Sequence, residues 1–182
     1  PLTLANNSPA CYWLSQKAAK QFGVADASAR HHSLNDRLSH WAISQFCAAT
    51  QPFRELLTQK EFCERFSALW RPGQPHRYYL QPTQEGVSLS FLKVDLGGAS
   101  RWDRVVDSCY RFLAKRTQRP MVDGGLAAPS ELYAQLIANH RFQISLLVAS
   151  PEKAAAINAR LDLDAVEHGV RAPIVPYVVP GL

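Results

Sequence analysis

The chain has 182 residues, 47% of them hydrophobic and 19% charged, which excludes a disordered chain and fits one ordinary globular core with at most a small second piece. Its formal net charge of +5 at pH 7 favours an acidic partner, with nucleic acid ahead of a membrane surface. No apolar run approaches the roughly 18 residues of a spanning helix and no secretory leader is visible, so we expect no membrane partner. The scattered cysteines favour reduced thiols and hence a cytoplasmic protein.

The four cysteines have no paired spacing. Cys11, Cys47, Cys63 and Cys109 contain no CxxC pair, so the zinc-ribbon pattern is absent. We predict reduced, structural thiols, with Cys47 and Cys109 on apolar helix faces.

The first segment has the pattern of the end of an upstream domain. Two short β-like runs surround the turn Asn6–Pro9, and a short helix follows over Ser15–Phe22. Such a hairpin is typical of the wing of a winged helix, and the chain begins without an initiator Met, so we expect a truncated N-terminal piece. The predicted domains are a wing remnant at 1–24 and an α/β domain at 30–182, joined by a linker of small residues.

Helical and strand-like patterns alternate along the rest of the chain. In chain order they are a helix at about His31–Thr50, an ambiguous segment at Thr58–Trp70, a loop at Arg71–Pro75, a hairpin of strands at Arg77–Gln81 and Val87–Asp95, a helix at about Arg101–Arg119, a loop at Met121–Ala128, a helix at Ser130–Asn139, a strand at Phe142–Ala149, a helix from Ser150 to about Leu161, and a strand at Ile174–Val179. Pro176 places the last strand at a sheet edge. This order predicts an α/β sandwich with a mixed sheet.

The most informative stretch is the strand at Val87–Asp95 and the basic amphipathic helix behind it. The helix presents an apolar face of Trp102, Val105, Cys109, Phe112 and Leu113. A separate narrow arc carries Arg101, Arg104, Arg111, Lys115 and Arg119. Five cations in a row suggest a partner rich in phosphate, namely double-stranded DNA, whereas an ordinary solvated surface is the alternative.

Four short motifs recur in order along nearly the full chain. They are Tyr12-Trp-Leu-Ser-Gln-Lys-Ala18, His31-His-Ser-Leu-Asn-Asp36, Leu92-Lys-Val-Asp95 and Leu147-Val-Ala-Ser-Pro151. Together they resemble the replication-relaxation and mobilisation proteins of plasmids and integrative elements. The resemblance implies an upstream winged helix, a restriction-endonuclease-like core behind it, and work on element DNA in transcription regulation or conjugation.

The carboxylates for metal-dependent cleavage are incomplete. In the implied nuclease core, acids on the second and third strands hold a divalent metal against the scissile phosphate. The strand Arg77–Gln81 has no acid, and Lys93-Val-Asp95 stands where the family tends to have Glu-x-Asp. Asp95 is therefore the catalytic candidate only if the chain is active, and Lys93 suits a phosphate instead of a cation. The other acids that could reach such a site are Asp36 and Glu61.

These patterns favour a non-catalytic DNA-binding regulator or mobilisation accessory protein without a metal or other cofactor. The expected nucleic-acid-binding residues are Lys93, Arg101, Arg104, Arg111, Lys115 and Arg119. The first alternative is a DNA nickase or relaxase that depends on Mg²⁺. The second is a dimerisation module of a transcription factor, in which Ile174–Val179 pairs with a second copy and forms a homodimer.

Overall fold

The computed structural model describes residues 33–51, 53–71, 73, 75, 77–84, 86–97, 102–117 and 129–182. The predicted wing, its short helix, the linker, the loop at 121–128, Cys11, Arg101 and Arg119 lie outside the described residues. The elements in chain order are α1 (Leu34–Ala48), β1 (Glu55–Leu56), α2 (Gln59–Arg65), β2 (Tyr78–Thr83), β3 (Gly86–Val94), α3 (Trp102–Thr117), α4 (Pro129–Ala138), β4 (Phe142–Val148), α5 (Pro151–His168) and β5 (Ile174–Val178).

The five strands form one mixed sheet in which spatial order follows chain order. Strand β2 is antiparallel to β1 and β3, whereas β3, β4 and β5 are parallel. Parallel neighbours need a crossover, which α3 and α4 supply between β3 and β4 and α5 supplies between β4 and β5. The mixed-sheet α/β prediction is confirmed, and β5 is an edge strand as Pro176 predicted. Pairing of this edge with a second copy stays a prediction.

Helices cover both faces of the sheet and create two apolar cores. The larger core joins α2, α3, α4 and α5 to one face and includes Phe62, Phe91, Cys109, Tyr133 and Ile157. The smaller core joins α1 to the other face and includes Ala42, Ile43, Phe46, Tyr79 and Leu147. Strand β4 contributes to both cores, which explains why its sequence is a nearly continuous apolar run.

Helix α5 is longer than its apolar pattern predicts. The expected end near Leu161 is wrong, because the helix continues to His168. Leu161 is the last buried residue of this helix, and beyond it Leu163 and Val166 are exposed. The helix ends where Gly169 adopts a φ of 75°, a left-handed conformation that glycine takes without steric cost.

The ambiguous segment at 58–70 begins as a helix because Thr58 and Glu61 form a capping box at the start of α2. The two-residue strand β1 just before it was not predicted. Leu34, the first residue of α1, is apolar but 56% exposed. It follows Ser33, which caps α1 and places the first turn at the solvent.

The described cysteines are free thiols. Cys47 and Cys63 are partly buried and Cys109 is fully buried, and these three cysteines form no disulfide with each other. Burial raises the pKa of the Cys47 thiol, and it raises the pKa of Cys109 to about 11. Both thiols are therefore neutral in the folded protein near pH 7.

Candidate functional site

An open groove of about 900 Å³ lies over the carboxyl end of β3. Strand β2 begins at Tyr78, whose partner is Phe91, and the Leu92 amide donates to the Arg77 carbonyl, so in the ladder Lys93 and Val94 of β3 pair with β4 alone. Residues 91–94 of β3 line the groove together with α3 and with Arg71, Gly73, Pro75 and Arg77, which precede β2. The groove therefore lies between the end of β3, helix α3 and the residues that precede β2.

Every charged residue among the described residues that line this groove is basic, and we call it the cationic groove. They are Arg71, Arg77, Lys93, Arg111, Lys115 and Arg116. Within the described parts of the chain, none of the six has a carboxylate oxygen within the 4.0 Å limit of an ion pair. Six cations without local neutralisation produce a positive potential that attracts phosphate.

Lys93 is half-buried at the β3 side of the groove. Its ammonium donates a hydrogen bond of 2.5 Å to the hydroxyl of Ser108 on α3, a neutral partner. The charge of Lys93 also acts on Cys109, where it partly offsets the rise in thiol pKa caused by burial. Lys93 thus brings a charge into the groove wall without a carboxylate from the described residues beside it.

Aromatic rings hold Arg116 against the groove. Its guanidinium lies 4.9 Å from the ring centre of Phe112 and 5.8 Å from that of Tyr133. Phe112 in turn stacks on Phe91 with ring centres 4.2 Å apart. Burial raises the pKa of the Tyr78 hydroxyl, while hydrogen bonds from Tyr133 and Arg116 oppose that rise. The aromatic part of the groove is therefore the Phe112 ring, which is stacked on Phe91 and has the Arg116 guanidinium over it.

Asp95 does not face this groove as a free carboxylate. One of its oxygens accepts a 2.9 Å hydrogen bond from the Gly97 amide, and the other forms an ion pair with Lys153 of α5. The Lys153 side chain is only 2% exposed and also donates to the Gly97 carbonyl over 2.5 Å. A Cβ at Gly97 would lie 3.0 Å from the Asp95 carboxylate, so this turn is tightly packed.

The remaining acids considered in the sequence serve as helix caps. Asp36 accepts from Ser33 and Glu61 accepts from Thr58, each at the start of its own helix. Among the described residues, no three His, Cys, Asp or Glu side chains group closely enough to hold a metal ion. Asp95 with its lysine partner is not a fit for Mg²⁺, which usually needs at least one free carboxylate besides substrate oxygens.

The structure gathers three of the six expected nucleic-acid-binding residues, Lys93, Arg111 and Lys115, in one groove. Arg104 is exposed on the same helix but does not line the groove, and Arg101 and Arg119 lie outside the described residues. The sequence missed Arg71, Arg77 and Arg116. Arg77 could have been placed, because the hairpin register sets it next to Leu92.

Comparison of the chain with protein-family models, curated proteins and solved structures finds no match. The family resemblance of the four motifs is therefore a proposal, and the cationic groove is the feature from which a function can be argued. In the part of the chain that the structure describes, no helix has the length and hydrophobicity needed to cross a membrane.

Proposed function

We propose that this chain is a non-catalytic DNA-binding protein that holds phosphates in the cationic groove. The observation that carries the proposal is a lining with six cations and, among its described residues, no carboxylate. A randomly solvated protein surface mixes both signs of charge, as α5 does with its Arg160–Asp164 pair. A concave surface of one sign concentrates the opposite charge, and phosphate is the anion that nucleic acid repeats along its backbone.

The sheet supports a restriction-endonuclease-like core. Its strands run in the order 1-2-3-4-5, only β2 is antiparallel to its neighbours on both sides, and helices pack on both faces. This topology agrees with the family resemblance, which favours a regulator or mobilisation accessory of a plasmid or integrative element. The nuclease fold then serves as a scaffold for binding.

The ion pair of Asp95 supports the absence of catalysis. To bind a metal, Asp95 would have to give up its ion pair with the buried ammonium of Lys153. Breaking a buried ion pair costs several kcal/mol. Strand β2 offers no second carboxylate, since its residues are Tyr78 to Thr83 without an acid.

The groove cations would position the DNA and leave base reading to other residues. Contacts from lysine and arginine to phosphate carry no sequence information, and they make affinity fall with salt. We expect binding that is nearly independent of sequence and strongly dependent on ionic strength.

The test is fluorescence anisotropy of the chain with a duplex that carries a single-stranded tail, over a salt series. The Arg111→Gln/Lys115→Gln variant should bind more weakly and reduce the slope of log K against log[salt] by about 2, one unit for each lost phosphate contact. The matched control is Lys60→Gln/Arg171→Gln, which removes two exposed cations that do not line the groove. This control should retain at least most of the slope.

Arg104→Gln separates the groove from the rest of the helix. Arg104 and Arg111 are both exposed arginines of α3, but only Arg111 lines the groove. An equal loss of affinity in both single variants would assign binding to the helix surface and reject the groove. Binding without salt dependence would reject the proposal, and nicking of the DNA in Mg²⁺ would show that the protein is a nuclease.

A further inference from the structure

The groove cations come from different elements of the fold, and their arrangement favours one DNA strand over a double helix as the ligand. Arg71 and Arg77 contribute from the segment before β2, and Arg111 and Lys115 contribute from α3. A double helix carries its phosphates on two backbones, which are separated by grooves about 12 Å and about 6 Å wide. A concave groove with cations on two sides instead encloses a single backbone.

The apolar lining between these cations points the same way. Val94 and Phe112 are partly exposed among the groove residues, whereas Phe91 and Leu92 are buried behind them, and the Arg116 guanidinium rests over Phe112. Unstacked bases bind to apolar and aromatic side chains and to guanidinium planes, whereas the base faces of a duplex are already stacked on each other. A groove that offers both cations and an apolar surface matches both halves of an unpaired nucleotide.

Lys93 supplies a site for one phosphate. Its half-buried ammonium has the Ser108 hydroxyl as a partner, and Arg111 follows Ser108 on α3 by three residues, on the same side of the helix. The nearest acid along its strand, Asp95, is engaged by Lys153. A phosphate oxygen that accepts from Lys93, Ser108 and Arg111 would neutralise a charge that the described residues leave uncompensated.

We propose that the groove binds a short single-stranded segment of nucleic acid, with one phosphate at Lys93, Ser108 and Arg111. This inference rests on the proposed DNA-binding function and narrows its ligand from DNA in general to an unpaired strand. The volume of about 900 Å³ is at the upper end of the range of roughly 300–1,000 Å³ seen for ligand pockets, which suits a few nucleotides better than a long duplex.

The experiment compares a labelled oligothymidylate with a blunt hairpin duplex of equal nucleotide count, titrated with the full chain at the same salt concentrations. We expect tighter binding of the single strand, and a loss of about tenfold or more in its affinity for Lys93→Met, the scale of one charged hydrogen bond. Lys60→Met is the matched control, because it removes one exposed lysine charge elsewhere, and it should bind like the parent chain. Circular dichroism and thermal unfolding check that each variant is folded.

The outcomes separate this inference from the proposed function. A duplex that binds more tightly than the single strand overturns the inference and leaves DNA binding intact, whereas binding of neither probe overturns both. Single-strand binding that is equal in Lys93→Met and Lys60→Met overturns the assignment of the phosphate to Lys93. If Lys93→Met does not fold, the exposed Arg111→Gln variant takes its place, with Arg104→Gln as its control.

Discussion

At the scale of single residues, Asp95 and Lys153 form the most buried ion pair recorded among the described residues. Their side chains are 13% and 2% exposed, so both charges are largely removed from water. The pair joins the end of β3 to the first turn of α5, and the Gly97 amide and carbonyl take part in the same contact. Because Asp95 is also the position of a catalytic acid in the implied nuclease core, its engagement with Lys153 favours a structural role.

Removing one member of this pair should destabilise the protein strongly. Asp95→Asn removes the carboxylate charge that pairs with the buried Lys153 ammonium, and we expect the free energy of unfolding to fall by about 3 kcal/mol in urea titrations. The double variant Asp95→Asn/Lys153→Met should recover much of that loss, because no buried charge remains. Glu64→Gln, in an exposed pair with Lys60, is the control and should change stability by less than about 1 kcal/mol. A wild-type free energy for Asp95→Asn would contradict a buried pair and reopen the metal-site interpretation.

We expect the Cys109 thiol to make the free energy of unfolding depend on pH in the alkaline range. Burial raises its pKa from 9.0 to about 11, so below pH 9 the thiol is neutral in both folded and unfolded chains. Between pH 9 and 11 the unfolded thiol ionises while the folded one does not, and stability therefore decreases as pH rises. A shift of this size bounds the contribution at about 2–3 kcal/mol.

Unfolding in urea at pH 8 to 11 tests this linkage. The stability of Cys109→Ala should decline less steeply with pH than that of the parent chain, although its absolute stability is lower because of the cavity. Val106→Ala, which opens a cavity in the same core without removing a titratable group, should keep the parental pH dependence. Parallel pH curves for Cys109→Ala and the parent would show that this thiol is not the titrating group.

At the scale of elements, local signals in the sequence predicted most of the fold. Strand β4 was recognisable because burial on both faces demands a continuous apolar run, and α5 because Ser150 and Pro151 provide its cap and first turn. The end of α5 was misplaced because the apolar pattern stops where the helix leaves the core at Leu161, while the helix itself stops at Gly169. Core contact and helix termination are separate physical effects, and only the second fixes the boundary.

The candidate site was only partly predictable from the sequence. The pattern of cations along one helix describes α3 alone, whereas the groove is formed by α3, β3 and the residues before β2. Lys115 and Arg111 were found on the arc of α3, whereas Arg71 belongs to a loop whose position depends on strand pairing. Arg116 is outside the predicted arc and reaches the groove through its contacts with Phe112 and Tyr133, the latter on α4. Such contacts require the tertiary packing of α3 against α4 and β3.

At the scale of the whole molecule, the groove cations that would bind an anionic ligand also repel each other and so lower the stability of the folded protein. The chain has a formal charge of +5, and six cations share one concave surface where they repel each other. Repulsion of this kind weakens the folded state at low ionic strength and is relieved by a bound polyanion or by salt. A functional groove should therefore be a place where loss of charge increases stability, as is common for binding sites.

This trade-off predicts that Arg111→Gln/Lys115→Gln is more stable than the parent chain at low salt. We expect a gain of about 0.5–1 kcal/mol in the free energy of unfolding at low ionic strength, which shrinks towards zero near 0.5 M NaCl as screening shortens the range of the repulsion. Lys60→Gln/Arg171→Gln removes the same charge but gives up two exposed ion pairs, so it should show no such gain. Because glutamine, lysine and arginine have similar helix propensities, the groove variant changes the charge of α3 with little change in its helix propensity. Equal stability of both double variants at low salt would indicate that the six cations are ordinary solvated charges, whereas a gain confined to the groove variant would mark the groove as a surface kept cationic for an anionic ligand.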